Sequence, residues 1–453
     1  MPDSVQSSVA GVIWPPLLSG GAPPLAALMH QLEQTQWLPA QDIVRSQHQQ
    51  LVVLAQHAEM HSVHFRERMR AAGLRAGQMS TRENLRRLPV MRRRDVQSAG
   101  ETLFCTQIPR AHAPATESRT SGSSGEPVVV KRTAVSRLMW MAMTLREHLW
   151  QRRDFRGRLA VIRDDYLQGE QMDWPTWGPP ASVLFETGSS HALAVRTGVA
   201  RQFEWLQSIN PDYLLVYPSN LAALLDQFEQ RGLKLPCLRQ IRTINETLAP
   251  DIRASARRVL GADIADTYSS AEAGVIAVQC PESGLYHAMA ESLIVEVLDE
   301  QGEACMPGQV GRVVVTDLHN FATPLVRYDL GDYAETADAC SCGRGLPALK
   351  RIAGRRRNMA RLPDGRDLWP AIGGLRYCEI APIRQFQFIQ RERESIEVRL
   401  VSQAPLSADQ ERRIGDLICT ALDFSFKLQF VYFAEQIPRG PGGKFEEFVC
   451  ELA

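Results

Sequence analysis

The chain has 453 residues, of which 44% are hydrophobic and 23% are charged, as is ordinary for a soluble globular protein. Lysine plus arginine and aspartate plus glutamate both total 51, so global charge gives no indication of nucleic acid or an anionic membrane as the main partner. The sequence has no long apolar run, no basic region precedes its short N-terminal apolar patch, and its nine cysteines are unevenly spread, which together predict a cytoplasmic chain with mostly reduced thiols and no membrane span.

Residues 25–98 are predicted to be helical. Apolar residues recur at three- and four-residue spacing in LAALMHQLEQTQW (25–37) and in the long segment 50–74. Ser80-Thr81 precedes a short helix that Leu88-Pro89 ends. We interpret the basic cluster 92–94 as a solvated face, with nucleic-acid binding as a poor second interpretation.

The pattern changes from about residue 100 to residue 335. Short apolar runs such as LAVIRDD (159–165) and YLLVY (213–217) alternate with helical stretches, which indicates helices packed on a sheet. Segment 292–318 differs, because its two strand-like runs are joined by a Gly/Pro-rich turn region. An antiparallel, β-rich subdomain is therefore expected there.

We place a domain boundary near Arg357, so that residues 1–355 form an N-terminal domain and residues 356–453 a C-terminal one. The tail reads as strand, strand, helix and strand, enough for a small α+β domain. The predicted fold class is α/β with α+β parts: a large multi-subdomain N-terminal domain and a small C-terminal domain.

The stretch SRTSGSSGEPVVVKRT (118–133) puts a flexible, hydroxyl-rich segment directly before a predicted strand. Backbone N–H groups of such a loop can converge on phosphate oxygens, but the segment lacks a Walker ending. Taken alone, it favours a linker. The phosphate interpretation would use Thr120, Ser121, Gly122, Ser123, Ser124 and Gly125.

Four further segments follow in order: TYSSAEAGVIA (267–277), PLVRYDLGDYAE (324–335), RIAGRRRNM (351–359) and IPRGPGGKFEEF (437–448). With the Ser/Gly loop, they resemble the core motifs of the adenylate-forming superfamily of acyl/aryl-CoA synthetases and adenylation domains. LPVMRRRDV, YPSNLAALL, GLYH and CSCGRGLPALKRIAGR resemble its phenylacetate–CoA ligase-like branch in particular. Several motifs in one register are far more specific than any single motif.

The resemblance implies a two-step reaction. A carboxylic acid, expected to be aromatic, attacks the α-phosphate of ATP to give acyl-AMP and pyrophosphate, and a thiol of CoA or of carrier-protein phosphopantetheine then takes the acyl group. The small C-terminal domain would be mobile and alternate between the two steps. Two alternatives remain open: an amine acceptor, which would make an amide, and a catalytically silent nucleotide-binding relative.

The resemblance also implies roles for individual residues. Lys444 would stabilise charge at the α-phosphate, and Glu272 would bind Mg²⁺. Asp332 would accept hydrogen bonds from the ribose hydroxyls, while Arg355 would contact ribose or phosphate. The remaining implied nucleotide contacts are Asn245, Glu246, Tyr268, Ser269 and Ser270. Three of these residues also have an ordinary alternative. Lys444 could be a solvated tail lysine, Glu272 a carboxylate at the start of a helix, and Asp332 a turn cap.

Arg357-Asn358 stands where relatives have a paired Asp at the hinge between the domains, which leaves the hinge mechanics open. The acid pocket is expected to draw on residues 140–275. Trp174, Trp177 and Phe185 are its candidate aromatic walls, although aromatic residues are equally common in a core.

A second constellation consists of Cys280, His287, Cys340 and Cys342. Three thiols and one imidazole match a closed tetrahedral zinc site of structural type, although the spacing is not that of a standard finger. The alternative is a set of reduced thiols beside an unrelated histidine. We favour zinc, because similar Cys/His positions occur in the branch that the sequence resembles.

Overall fold

The structure is a computed structural model. It describes residues 9–12, 14–15, 23–119, 128–163, 170–355, 358–368, 377, 380–402, 404–434, 436–438 and 445–452. The predicted phosphate loop 120–125, the boundary residue Arg357 and the predicted catalytic Lys444 therefore lie outside the described residues.

The α-helices concentrate at the N-terminus and between the strands of the central region. They are α1 (Pro23–Thr35), α2 (Ala40–His61), α3 (Val63–Ala71), α4 (Arg82–Arg87), α5 (Arg93–Ala99), α6 (Ala134–Trp150), α7 (Ala181–Leu184), α8 (Val199–Ile209), α9 (Pro218–Arg231), α10 (Pro250–Leu260) and α11 (Ala408–Ala421). Short 3₁₀ turns occupy Ala76–Ser80, Gly100–Leu103 and Arg110–His112. Among the described helices, none is both long enough and apolar enough to cross a membrane.

The strands occupy most of the remaining regular structure. In the N-terminal half they are β1 (Thr116–Arg119), β2 (Val129–Arg132), β3 (Leu159–Ile162), β4 (Gln171–Trp174), β5 (Ser190–Leu193), β6 (Tyr213–Val216), β7 (Gln240–Ile244), β8 (Asp263–Ser270), β9 (Gly274–Gln279) and β10 (Tyr286–Ala288). In the C-terminal half they are β11 (Leu293–Leu298), β12 (Val310–Asp317), β13 (Tyr328–Thr336), β14 (Ala348–Arg355), β15 (Ala360–Arg361), β16 (Asp367–Leu368), β17 (Ile383–Glu392), β18 (Ser395–Ser402), β19 (Lys427–Phe433) and β20 (Phe448–Cys450).

Twelve of the described strands form one mixed sheet in the order β11-β12-β13-β14-β10-β9-β8-β7-β6-β3-β5-β4. Neighbouring strands are parallel from β8 through β7, β6 and β3 to β5. Neighbouring strands are antiparallel from β8 through β9, β10, β14, β13 and β12 to β11. The predicted α/β layers and the predicted β-rich subdomain are both present, and they share this sheet. Its parallel and antiparallel halves meet at β8 and β9, the kind of switch point where α/β sheets commonly bind ligands.

Local sequence signals explain where the helices begin. The Ser62 hydroxyl accepts a hydrogen bond from the Phe65 amide at 3.2 Å at the start of α3. Thr133 does the same for α6, accepting from the Ser136 amide at 3.1 Å. Such caps satisfy amides that the first turn of a helix leaves without a partner. Proline at the first positions of α9 and α10 suits the same place, because its nitrogen carries no hydrogen.

The two faces of the parallel strands have different neighbours. Alternate residues such as Ile162, Val216 and Ile241 pack against α8, α9 and α10 in one apolar core. Because side chains alternate along a strand, the intervening residues point to the opposite face. That second face is lined by side chains such as Val161 and Leu215, and it borders the cavity described below.

The C-terminal region folds as the sequence predicts. Strands β17 and β18, helix α11 and strand β19 follow in order, and the helix begins at Ser407 with reciprocal side-chain capping by Gln410. The sheet order is β19-β18-β17-β20, with β20 added from the end of the chain. Its apolar core includes Phe388, Ile396 and Ile418.

Candidate active site

A cavity of about 1640 Å³ lies between the open face of the parallel strands, helix α6 and the beginning of the final strand segment. The parallel strands contribute residues along their length, from Leu159, Tyr213 and Gln240 at their beginnings to the loops that follow their carboxyl ends. The C-terminal region contributes residues 445–448. The cavity therefore lies where the two predicted domains meet, at the switch point of the sheet.

Glu272 occupies the tight turn between β8 and β9, as the sequence indicates. It lies on the cavity wall, about one-tenth exposed, with the Arg93 guanidinium 3.7 Å from its Oε1 atom. Gly274 follows with φ +82°, a conformation that glycine adopts without strain and that lets the chain reverse into β9. Ser270 steadies the turn, because its hydroxyl accepts a hydrogen bond from the Ala273 amide at 3.0 Å.

Asp332, Arg355 and Tyr268 converge on the same cavity. Asp332 and Arg355 are cross-strand partners on β13 and β14, with Arg355 Nε 3.5 Å from Asp332 Oδ1. The Tyr268 hydroxyl donates a hydrogen bond of 2.8 Å to Asp332 Oδ2. Burial and the neighbouring Asp332 carboxylate raise the pKa of Tyr268 well above its usual value, so the phenol stays a donor. Asp332 lies within β13, directly after Gly331, and not in a turn as the motif predicted.

Asn245 and Glu246 follow β7 on the cavity wall. Asn245 has φ +69°, the left-handed region that asparagine tolerates better than most residues. Glu246 Oε2 accepts from the Ser219 amide at 2.9 Å, and its Oε1 accepts from the Phe445 amide at 3.1 Å. One carboxylate thus joins the start of α9 to the residue directly after Lys444.

The same region holds a second acidic group and a second link between the domains. Burial raises the pKa of Glu447 to about 8, and the nearby Asp251 and Glu246 carboxylates add to the rise. Asn358 accepts a 2.8 Å hydrogen bond from the Arg355 amide and donates one of 2.7 Å to the Phe448 carbonyl. Asn358 therefore ties the end of β14 to β20.

Ser269, the other implied nucleotide contact in this segment, lines the cavity at the end of β8, where a β-bulge separates it from Tyr268 in the pairing with β9. The predicted phosphate loop is the connection between β1 and β2, which pair antiparallel with Arg119 opposite Val129. Ser118 and Arg119, directly before that loop, line the cavity. The assignments of Lys444 and of the loop remain predictions.

One of the three candidate aromatic walls of the acid pocket lies on the cavity. Trp177 lines the cavity, held by a 2.8 Å hydrogen bond from its indole nitrogen to the Gly157 carbonyl. Trp174 and Phe185 are not cavity-lining. Trp174 packs beside the apolar cluster of β3 and β6, and Phe185 stacks on Phe155 with 4.7 Å between ring centroids.

The basic cluster 92–94 is not uniformly a solvated face. Arg92 and Arg94 are exposed, as expected, but the half-buried Arg93 reaches Glu272, and Arg92 and Arg93 both line the cavity. The sequence pattern alone gives no sign of this, because α5 packs close to β13 only through tertiary contacts.

Three further cavity residues were not predicted from the sequence: His148 at the end of α6, Arg153 just beyond it, and Arg242 in the middle of β7. Each is charged or titratable and largely buried. The only sequence signal is an arginine inside the apolar run IRTI, which normally indicates the solvent face of a strand. Their arrangement is taken up below.

Cys280, His287, Cys340 and Cys342 come together at the base of β9, β10 and the loop before β14. One ligand atom of each lies within 4.8 Å of the others. Cys280 Sγ and Cys340 Sγ are 3.9 Å apart, close to the edge of about 3.8 Å that tetrahedral zinc with 2.3 Å Zn–S bonds requires. His287 Nδ1 lies 3.3 Å from the Leu346 carbonyl, which leaves Nε2 facing Cys342 Sγ at 3.2 Å. This donor set fits zinc, with the backbone carbonyl orienting the imidazole.

Comparison with known proteins bears directly on the resemblance. No protein-family model matches the chain. The phenylacetate–coenzyme A ligase of Pseudomonas putida is 24% identical over 356 residues, 74% of this chain and 72% of the ligase. A crystal structure of 2-hydroxyisobutyryl-CoA ligase with 2-HIB-AMP in the postadenylation state superposes with a TM-score of 0.74, at 19% identity and with 92% of each chain covered.

The chain has the adenylate-forming CoA ligase fold, and its resemblance to the phenylacetate–CoA ligase-like branch is confirmed. An amide bond synthetase of Marinactinospora thermotolerans is a more distant structural relative, with a TM-score of 0.50, 16% identity, and 75% and 70% of the two chains covered.

Proposed function

We propose that this chain activates a carboxylic acid with ATP, releases pyrophosphate and then transfers the acyl group from acyl-AMP to the thiol of CoA. The observation that carries the proposal is the convergence of Tyr268, Asp332, Arg355 and Glu272 on one cavity, although these residues come from three separate sequence motifs. The similarity to CoA ligases of the same fold supports it. The acid itself is not identified by these relatives.

The residues suit a nucleotide whose ribose lies against β13. Asp332 can accept hydrogen bonds from two ribose hydroxyls, and its contacts with Tyr268 and Arg355 fix its orientation. Arg355 is about one-third exposed, so its guanidinium can also reach a phosphate oxygen. Preorganised groups of this kind stabilise developing charge without reorganising during the reaction.

Magnesium fits the acidic end of the cavity. Glu272 offers a carboxylate at the cavity wall, and Mg²⁺ prefers oxygen ligands and commonly keeps substrate phosphates and water as its other ligands. When bound, the ion would neutralise phosphate charge during attack by the acid. Arg93, 3.7 Å from Glu272, holds the carboxylate in place from the other side.

In this proposal Lys444 acts in adenylation only. The two links to the C-terminal region, Glu246 to Phe445 and Asn358 to Phe448, hold the segment after Lys444 against the cavity. Transfer to the thiol would require those links to break, so that the C-terminal domain can turn away. The candidate second function is transfer to an amine, which the fold shared with an amide bond synthetase favours. A carrier-protein phosphopantetheine is the other candidate thiol.

Isotope exchange between pyrophosphate and ATP tests the proposal across a panel of aryl and alkyl acids. In Glu272→Gln the exchange rate should fall at least tenfold, which corresponds to about 1.4 kcal/mol of lost transition-state stabilisation. Because glutamine keeps one neutral oxygen ligand, raising the Mg²⁺ concentration should recover part of the rate. The exposed Glu303, an ion-pair partner of Arg86 at 3.7 Å, provides the control variant Glu303→Gln, which should exchange normally.

A wild-type exchange rate in Glu272→Gln at low Mg²⁺ would show that Glu272 is not a metal ligand. If the wild-type protein catalyses no exchange with any acid of the panel, acid adenylation itself is wrong. CoA or one of a set of amines is then added to acyl-AMP that the protein has formed. A thioester product identifies the thiol as the acceptor, and an amide product identifies the amine.

A further inference from the structure

A buried ionic cluster closes the end of the cavity away from the nucleotide residues. Arg153 binds Glu147 through two hydrogen bonds, 2.6 Å from Nη2 and 2.7 Å from Nη1, and Arg242 Nε lies 3.1 Å from the same carboxylate. Glu147 is completely buried behind the wall, whereas Arg153, Arg242 and His148 line the cavity. We call these three residues the basic wall.

The basic wall carries more positive charge than its own carboxylate neutralises. Burial would raise the pKa of Glu147, but Arg153 and Arg242 outweigh it and hold that pKa at about 2, so Glu147 is ionised. Two guanidinium groups therefore face one carboxylate. A buried charge without a counter-charge is costly, so this excess cation favours an anion in the cavity.

His148 adds a neutral donor beside the guanidinium groups. Arg153 Nη1 donates to its Nδ1 atom at 2.9 Å, so the ring proton must be on Nε2. Burial and the adjacent arginines lower the pKa of His148 well below its usual value, which keeps the ring neutral. Among the described residues, neither His148 Nε2 nor the Nη atoms of Arg242 has a hydrogen-bond acceptor.

Two other charged groups lie near Arg242. Arg163 also lines the cavity and adds positive charge. Asp266 is the nearby acid, but both its oxygens already accept hydrogen bonds, from Thr243 at 2.6 Å and from Tyr286 at 2.8 Å. Burial also raises the pKa of Asp266.

The position of the basic wall fits the far end of an acid. Arg242 precedes Ile244 by two residues on the same face of β7, a separation of about 7 Å along a strand. His148 lies eight residues after Trp140 on α6, a rise of about 12 Å away from the turn that carries Glu272, because the Trp140 ring lies against Gly274 in that turn. The basic wall therefore lies about 7 Å or more from the nucleotide residues, toward the beginning of β7.

An apolar section of the cavity adjoins the basic wall and continues toward the carboxyl ends of the strands. Val161 and Leu215 lie level with Arg242 across the sheet, and Ile244 and Tyr217 each lie two residues nearer the carboxyl ends. Trp177 packs its ring on His148 with 5.6 Å between centroids. Such an apolar section suits a ring or a short alkyl chain. A ligand complementary to the whole cavity has an acid at one end, an apolar spacer and a second anion.

We propose that the substrate is a dicarboxylic acid, whose second carboxylate binds the Arg242 guanidinium and the His148 Nε2–H while its first carboxylate is adenylated. This inference rests on the proposed function and specifies its substrate class. Arginine suits the task, because its planar fork can donate two parallel hydrogen bonds to a carboxylate. Arg153 has a positioning role, since it orients His148 and binds Glu147.

The experiment compares acids that differ only in the far group: terephthalate with 4-methylbenzoate, 4-carboxyphenylacetate with 4-methylphenylacetate, and adipate with hexanoate. Pyrophosphate release gives kcat/KM for each acid with the wild type, Arg242→Lys and Arg242→Met. Lysine and methionine have similar length, so this pair of variants separates charge from shape. Melting temperatures of the three proteins report whether the fold is retained.

In the wild type, at least one diacid should exceed its methyl counterpart tenfold or more in kcat/KM. Arg242→Met should lower kcat/KM for that diacid at least tenfold more than for its methyl counterpart, and Arg242→Lys should keep part of the preference. If kcat/KM of the wild type is the same for each diacid and its methyl counterpart, the inference is wrong although the proposed function stands. Equal loss for both acids of a pair in Arg242→Met would also overturn it, since the cluster would then only support the fold. Release of no pyrophosphate with any acid would refute the proposed function itself.

Discussion

Glu246 offers a direct test of how the C-terminal region controls the reaction, because its single carboxylate accepts one hydrogen bond from each side of the cavity. Ser219 on the N-terminal side and Phe445 on the C-terminal side are its two amide donors, at 2.9 and 3.1 Å. In Glu246→Gln the side chain keeps one acceptor oxygen and presents an NH₂ group where the second acceptor was. One hydrogen bond to a charged group is therefore lost and one is weakened.

A hydrogen bond to a charged group contributes about 1.5–3 kcal/mol. That loss would lower the population of the arrangement that holds residue 445 at the cavity by roughly 10- to 150-fold. If Lys444 acts only in that arrangement, Glu246→Gln should slow adenylation by a factor in this range. Transfer of an acyl group from supplied acyl-AMP to CoA should change little, since the link must break for that step.

Pyrophosphate exchange measures the first half-reaction, and single-turnover thioester formation from synthetic acyl-AMP measures the second. Glu229→Gln is the matched control, because Glu229 lies at the far end of α9, half-exposed and paired with Arg258. The control should behave as the wild type in both assays. An equal loss in both half-reactions, or an unchanged exchange rate in a Glu246→Gln protein with a normal melting temperature, would refute the reasoning.

Two further predictions concern the zinc cluster and Lys444. Protein purified without chelator should contain about one equivalent of zinc. Cys340→Ser should lower the melting temperature more than it lowers adenine-nucleotide affinity. Absence of any bound metal would leave the four residues as ordinary thiols and a histidine. Lys444→Ala should slow adenylation by about 10²–10³, the usual loss for one contact that stabilises transition-state charge, and should leave thioester formation from supplied acyl-AMP near normal. Comparable losses in both half-reactions would contradict a role confined to the first.

The order of helices and strands could be predicted because apolar residues recur at a clear spacing along the longer segments. The C-terminal order of strand, strand, helix and strand is an example, and its helix α11 begins at the Ser407 cap. What this spacing does not reveal is which strands pair. β10 has three residues, and it nevertheless joins β9 to β14 across about 60 residues of chain, so the single twelve-stranded sheet could not be predicted from alternation alone.

In the candidate site, too, the residues could be predicted from the sequence but their contacts could not. Tyr268, Glu272, Asp332 and Arg355 were found because each lies in a short motif, and the order of the motifs supplied the specificity that no single residue had. The hydrogen bond between Tyr268 and Asp332, which are 64 residues apart, depends on the bulge at the end of β8 and the register of β13 with β14. Motifs indicate which residues gather, while only the sheet register gives their contacts.

The basic wall shows why the substrate end was harder to predict than the nucleotide end. Every adenylate-forming reaction handles the same nucleotide, so residues for it recur in fixed motifs, but an acid pocket changes with its acid and leaves no common pattern. Arg242 in a strand and Glu147-His148 in a helix are ordinary in sequence, and they become unusual only because the fold brings α6 and β7 together at one wall of the cavity. Their proximity gives common polar residues a preference for negative charge, since two guanidinium groups around one carboxylate leave a positive charge that another anion can neutralise.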